Sequence, residues 1–183
     1  MPRRHGRKRY FLVIGPEIFG SPILDYIISS GSDNVIGRRL EVQLSRLTGN
    51  PVDTYIKCRL RVVGVDGGEA FTVYDGHEYF REFIRSLFIK RTSHVDIYRD
   101  VYTDRRGYRL YVGVFTKYRV TNSRRRAIRR RVFNILDRWS GRDDDEFLRR
   151  MIYKVIDTEI FSVAKKVAPV RWCGILKVKT IQA

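Results

Sequence analysis

The chain has 183 residues, 43% of them hydrophobic and 13% aromatic, which is enough for a packed core and too apolar for a disordered chain. Its 37 Lys and Arg against 20 Asp and Glu give a formal charge of +17. Self-repulsion on that scale calls for a large acidic partner, nucleic acid or a membrane surface. No stretch approaches the ~18 uninterrupted apolar residues of a bilayer span, and residues 1–9 lack the apolar segment of a secretory signal.

Residues 1–9 read as a basic tail that orders on a partner, with Arg3, Arg4, Arg7, Lys8 and Arg9 as its cations. Residues 10–183 read as a single domain. Residues 10–121 are mainly β with one helix, 122–168 are helical, and 170–181 form a final strand. The apolar run at 9–14 predicts a strand ended by Gly15-Pro16, while 24–28 fits a short helix or a strand. Over 36–47, Leu40, Val42 and Leu44 alternate with Arg39, Glu41 and Gln43, the pattern of a half-buried strand. The cleanest strand is 54–65, with Ile56, Cys58, Leu60 and Val62 on one face and Tyr55, Lys57, Arg59 and Arg61 on the other. Asp66-Gly67-Gly68 turns it into a returning strand at 69–74.

The helical spacing of Phe80, Phe83, Ile84, Leu87 and Phe88 predicts a helix over 76–91 that covers a β-rich body. Strands at 95–103 and 108–120 flank a turn at 104–107. On the second, Leu110, Val112 and Val114 point inward, and Arg109, Tyr111, Phe115, Lys117 and Arg119 share the outward face. That face runs into the most basic stretch of the chain. From Lys117 to Arg131 there are eight basic residues and no acidic one. Ser123 fits an N-cap, and Ile128, Val132, Ile135, Leu136 and Trp139 make one buried stripe.

Arg124, Arg125, Arg126, Arg129, Arg130 and Arg131 then occupy the helix start and its outer sides. Arginines in a first turn oppose the helix dipole and repel one another. An external polyanion resolves the conflict, because free amides and guanidinium forks together receive phosphate. Tyr111 and Tyr118 are lesser candidates for stacking on bases. Downstream, acids at 143–146 open a helix with Phe147, Leu148, Met151, Ile152, Val155 and Ile156 inward. Ile160, Val163, Ala164 and Val167 line a further helix ended by Pro169. Trp172, Leu176 and Val178 face inward on the last strand.

Nothing assembles into a catalytic site. His5, His77 and His94 are scattered, and no phosphate loop or dinucleotide fingerprint is present. Cys58 and Cys173 have no metal-ligand spacing and read as buried free thiols. The acids at 143–146 could hold magnesium, but acids at a helix start more simply satisfy free amides. No catalytic residue, metal or cofactor is expected, so the chain reads as a non-enzyme.

Several stretches gain meaning when read together. They are Ile36-Gly37-Arg38 through Val42 and Leu44, Leu47-Thr48-Gly49, Gly76-His77-Glu78, Arg85-Ser86-Leu87, and Arg91-Thr92-Ser93 with Val95-Asp96. Further on come Gly107-Tyr108-Arg109, Phe115-Thr116, Ala127-Ile128-Arg129-Arg130, Glu159-Ile160 through Ala164-Lys165-Lys166, and Pro169-Val170-Arg171. Each piece alone is weak; the ordered set spans almost the whole chain and resembles the S3Ae family of small-subunit ribosomal proteins of archaea and eukaryotes. Without the long basic extensions of eukaryotic members, the chain reads as an archaeal one.

The resemblance implies an α+β fold, with a central antiparallel β-barrel and flanking helices. It implies a structural, cytoplasmic constituent of the ribosome that binds small-subunit rRNA on the platform near the mRNA exit. Its expected partners are that rRNA, neighbouring platform proteins and mRNA near the exit, and no membrane. The alternatives from the residues alone are a free RNA-binding regulator or chaperone, and a metal-dependent nuclease built on the acidic run.

Overall fold

The structure, a computed structural model, describes residues 8–181. The fold is α+β, with eight strands and five α-helices among the described residues, and its chain divides into two compact units at His77/Glu78. Among the described residues, no helix is long and apolar enough to cross a membrane.

The first unit contains β1 (Arg9–Ile14), β2 (Ile23–Ser29), β3 (Arg39–Gln43), α1 (Leu44–Thr48), β4 (Ile56–Asp66) and most of β5 (Glu69–Tyr79). Its strands lie in the order β2-β1-β5-β4-β3. The pairing is mixed: β1 runs antiparallel to β2, with Tyr10 opposite Ile28, and parallel to β5, with Val13 opposite Ala70. The alternation expected on β4 is present, with Ile56, Cys58, Leu60 and Val62 all buried. Gly67 and Gly68 both have positive φ, at 54° and 94°, as a tight hairpin with native strand twist requires.

The strand expected over 36–47 is shorter, because its second half is helical. Leu44 and Leu47, three apart, are both buried from α1, and Thr48 donates from Oγ1 to Asp53 Oδ2 at 2.9 Å. Asn50 then accepts from the Val52 amide and caps a 3-10 turn over Pro51–Tyr55. Local turn chemistry, stronger than alternation over so few residues, ends β3 at Gln43.

The second unit contains α2 (Arg81–Ser86), β6 (His94–Tyr102), β7 (Gly107–Thr116), α3 (Asn122–Asp137), α4 (Asp144–Ile152), α5 (Val155–Lys165) and β8 (Val170–Ile181). β6, β7 and β8 form an antiparallel series, with Leu110 between Arg99 and Val178. α3 packs against β6 and α5 against β8. The core joins Val95, Ile97, Val112, Val114, Leu176 and Val178 to Ile128, Val132, Leu136, Phe147, Ile156 and Ile160. A Cβ on Gly113 would meet Leu176 Cδ1 at 2.6 Å, so only glycine lets β8 deliver that leucine there.

The helix expected over 76–91 shrinks to α2, because β5 continues to Tyr79. An aromatic cluster overrides the helical spacing: the Tyr79 ring stacks on Phe83 at 4.8 Å and meets Trp172 edge-on at 5.7 Å. Phe88, expected inward, is exposed and lies against His94 and Phe115. Neither strand set closes on itself, and the β1–β5 pair is parallel. The closed antiparallel barrel is therefore not formed within either unit.

Candidate nucleic-acid interface

The arginine stretch folds as α3, and its position is set by a polar corner between β6 and β7. Thr116, fully buried at the end of β7, donates its backbone amide to Ser93 O at 2.9 Å. Its Oγ1 accepts from the Ser93 amide at 3.1 Å and reaches Tyr118 O at 2.6 Å. Ser93 Oγ in turn accepts from the Val120 amide at 3.1 Å and from Arg125 Nη2 at 2.9 Å. Thr121, not Ser123, occupies the N-cap position, and no side chain caps the helix. The start of α3 thus keeps free amides facing solvent.

The predicted stripe is buried throughout: Ile128, Val132, Ile135 and Leu136 from the helix and Trp139 just beyond it. The arginines divide into two sets around it. Arg125 and Arg129, four residues apart, flank the stripe and turn to β6. Arg129 Nε donates to Asp96 O at 3.2 Å. Arg124, Arg126, Arg130 and Arg131 are exposed, as are Lys117 and Arg119 on the approach. Among the described residues, none of these six forms an ion pair. The nearby acids are engaged elsewhere: Asp137 pairs with Arg99 at 2.7 Å, and Asp96 with His94 at 3.1 Å.

Other candidates sit differently. Arg109 faces outward but is bonded through two nitrogens to Asp100, both at 2.9 Å, and that guanidinium holds the Asp100 carboxyl below its ordinary range. Phe115, expected outward, is buried against Phe88, His94 and Trp172. Tyr118 is exposed, and Tyr111 donates to Asp96 Oδ1 at 2.5 Å. In the first unit, Lys8 and Arg9 are exposed at the start of β1. Arg3, Arg4 and Arg7 lie outside the described residues.

The acids at 143–146 all have partners. Asp143 accepts from the Glu146 amide at 2.8 Å as the N-cap of α4. Buried Asp144 accepts from Thr103 Oγ1 at 2.8 Å and Tyr108 Oη at 2.7 Å. Burial and that carboxylate push the Tyr108 phenol up. Asp145 pairs with Arg105 and Glu146 with Arg150. Among the described residues, no group of three or more His, Cys, Asp or Glu could hold a metal ion. Cys58 and Cys173 are both free, and burial pushes the Cys173 thiol up to about 12.

The sequence pattern that defines the ribosomal S3Ae family matches residues 4–183. The chain belongs to that family. Similar curated proteins include several called small ribosomal subunit protein eS1. That of Sulfurisphaera tokodaii is 34% identical over 179 residues, covering 96% of this chain and 92% of the relative. That of Sulfolobus acidocaldarius is 32% identical over 180 residues, covering 96% and 91%. That of Pyrobaculum islandicum is 32% identical over 177 residues, covering 96% and 80%.

For this S3Ae member, sequence reasoning missed the packing roles of Ser93, Thr116 and Asp144, the last read only among the acids at a helix start. They are small polar residues whose partners lie 23 to 41 positions away, so no local pattern marks them. The division among the arginines did carry a signal. The four-residue spacing of Arg125 and Arg129 beside Ile128 and Val132 places both on the packed side of the helix.

Proposed function

We propose that this chain is a structural constituent of the small ribosomal subunit and binds rRNA phosphates through the start of α3 and the approach to it. The observation that carries the reading is the set of six exposed cations, Lys117, Arg119, Arg124, Arg126, Arg130 and Arg131, with no carboxylate partner among the described residues. Free amides at the uncapped helix start add a second attraction for phosphate. Arg125 and Arg129 anchor the helix to β6 and act as positioning residues. Lys8, Arg9 and the remaining tail cations Arg3, Arg4 and Arg7 add further phosphate contacts, while Arg109 contributes less because Asp100 already neutralises it.

Family membership and the name of the relatives favour a place in the small subunit over a free regulator. On this reading the chain sits on the platform near the mRNA exit, with adjacent platform proteins and passing mRNA as neighbours, and has a cytoplasmic, non-enzymatic role in translation and subunit assembly; family membership supports it. The test is incorporation. Small subunits are isolated at high salt from cells expressing the chain with Arg124→Glu, Arg126→Glu and Arg130→Glu together. The variant is expected to stay off the subunit while the unaltered chain remains on it; equal retention overturns the assignment.

A further inference from the structure

The second unit also carries an open cavity of about 580 Å³ on the β6–β7 hairpin, lined by Tyr98, Arg99, Asp100, Tyr102, Arg109 and Ser140. Its charges cancel. Arg109 is doubly bonded to Asp100, and Arg99 donates from Nε to Asp137 at 2.7 Å with its guanidinium over the Phe133 ring. A phosphate entering here finds no uncommitted cation. What the cavity offers is planar surface. Tyr98 and Tyr102 lie on one face of β6 and are 65% and 57% exposed. Tyr98 is held from behind, its ring stacked on Tyr111 at 4.7 Å and 13°, and Tyr111 is fixed by Asp96.

We propose that this cavity receives an unpaired nucleobase of RNA, stacked on Tyr98 and Tyr102. Aromatic rings and guanidinium planes accept any base face. Not one lining residue is aliphatic, whereas a pocket that anchors a protein side chain is mainly apolar. Ser140 follows the C-terminal end of α3, so the cavity lies roughly 24 Å, the length of that 16-residue helix, from the arginine start. An RNA strand following α3 would place its phosphates at one end and an extruded base at the other. The inference rests on the RNA-binding reading above.

The test uses the full chain and a single-stranded oligouridine of about ten nucleotides with one central 2-aminopurine, beside the same strand made abasic at that position. Tyr98→Ala and Tyr102→Ala are each expected to weaken binding roughly tenfold with the salt dependence unchanged, and Tyr98→Phe and Tyr102→Phe to restore it. The abasic strand is expected to bind the unaltered chain more weakly by a similar factor, a comparison that needs no substitution and so no folding control. Equal binding by the alanine variants and by both strands overturns the cavity assignment. If the Arg124→Glu, Arg126→Glu, Arg130→Glu chain still loses affinity, the phosphate surface stands alone; if it does not, both readings fall. Alanine variants that bind RNA normally yet fail to join small subunits would assign the cavity to a protein neighbour and overturn the nucleobase.

Discussion

The β6–β7 hairpin and the start of α3 are both rich in arginine, and they use it in opposite ways. On the hairpin, Arg105 pairs with Asp145 at 3.1 Å and Arg109 with Asp100 at 2.9 Å. At the start of α3, Arg124, Arg126, Arg130 and Arg131 have no such partner among the described residues. Cations of the same kind therefore give unequal fields. Exposed ion pairs contribute little to stability, but they cancel the long-range attraction that draws a polyanion. Arginine content alone does not locate a phosphate surface; arginine left over after pairing does.

The sharpest way to break this comparison is the salt dependence of RNA binding. Replacing Arg124, Arg126, Arg130 and Arg131 by Ala is expected to reduce the slope of log affinity against log salt by about 3, at roughly 0.7–0.9 per phosphate contact. Replacing Arg105 and Arg109 by Ala is expected to change it by less than about 1. Fluorescence titration across a salt series checks both, and equal slopes for the two variants would remove the distinction.

A smaller effect separates structure from binding. Asp144→Ala leaves the buried Tyr108 hydroxyl without its acceptor, while Thr103 Oγ1 keeps Arg106 O, and is expected to cost about 1–3 kcal/mol of stability in urea unfolding. Asp144→Asn keeps an acceptor and costs less. Neither alters the salt slope, because the acid serves the hairpin's packing.

The smallest expected effect concerns pH. Asp157 is half-buried on α5 and accepts from the Ile175 amide at 3.0 Å. Burial raises its carboxyl to about 7, partly offset by that bond and by Lys154. The folded chain therefore holds a proton that the unfolded chain releases near pH 4. The associated stability is full below about pH 4 and is lost as the pH rises through 7. Asp157→Asn is expected to flatten this fall, gaining roughly 1–2 kcal/mol relative to the unaltered chain between pH 4 and pH 8, with RNA binding unchanged. Thermal unfolding across that range reads it.

Much of this was legible in residue order. Strict alternation located β4, the buried stripe of α3 was read residue by residue, and the final strand has the expected bounds of 170–181. Those elements are long and single-patterned, so local periodicity dominates. The sequence failed where contacts are distant or patterns short. Phe80, Phe83 and Leu87 imitate a helix, yet Tyr79 and Trp172 draw the segment into an aromatic cluster. Leu44 continues the alternation of Leu40 and Val42, yet α1 begins there, and the Thr48–Asp53 bond holds its far end. At the interface, the arginine run was plain and the spacing of Arg125 and Arg129 marked them as the packed pair, but what they anchor to, Ser93 just before β6 and Asp96 on it, lies 32 and 33 positions away.

The corner formed by Ser93 and Thr116 has one further consequence. It ties Val120 and Arg125, on either side of the first turn of α3, to buried Ser93, 27 and 32 residues away, so the first turn cannot fray independently of the core. The guanidinium array is preorganised, and the conformational entropy surrendered on association is confined to side chains. Backbone amides from Arg125 onward should accordingly exchange with solvent at rates set by deep opening of the second unit, while the free amides of the first turn exchange openly.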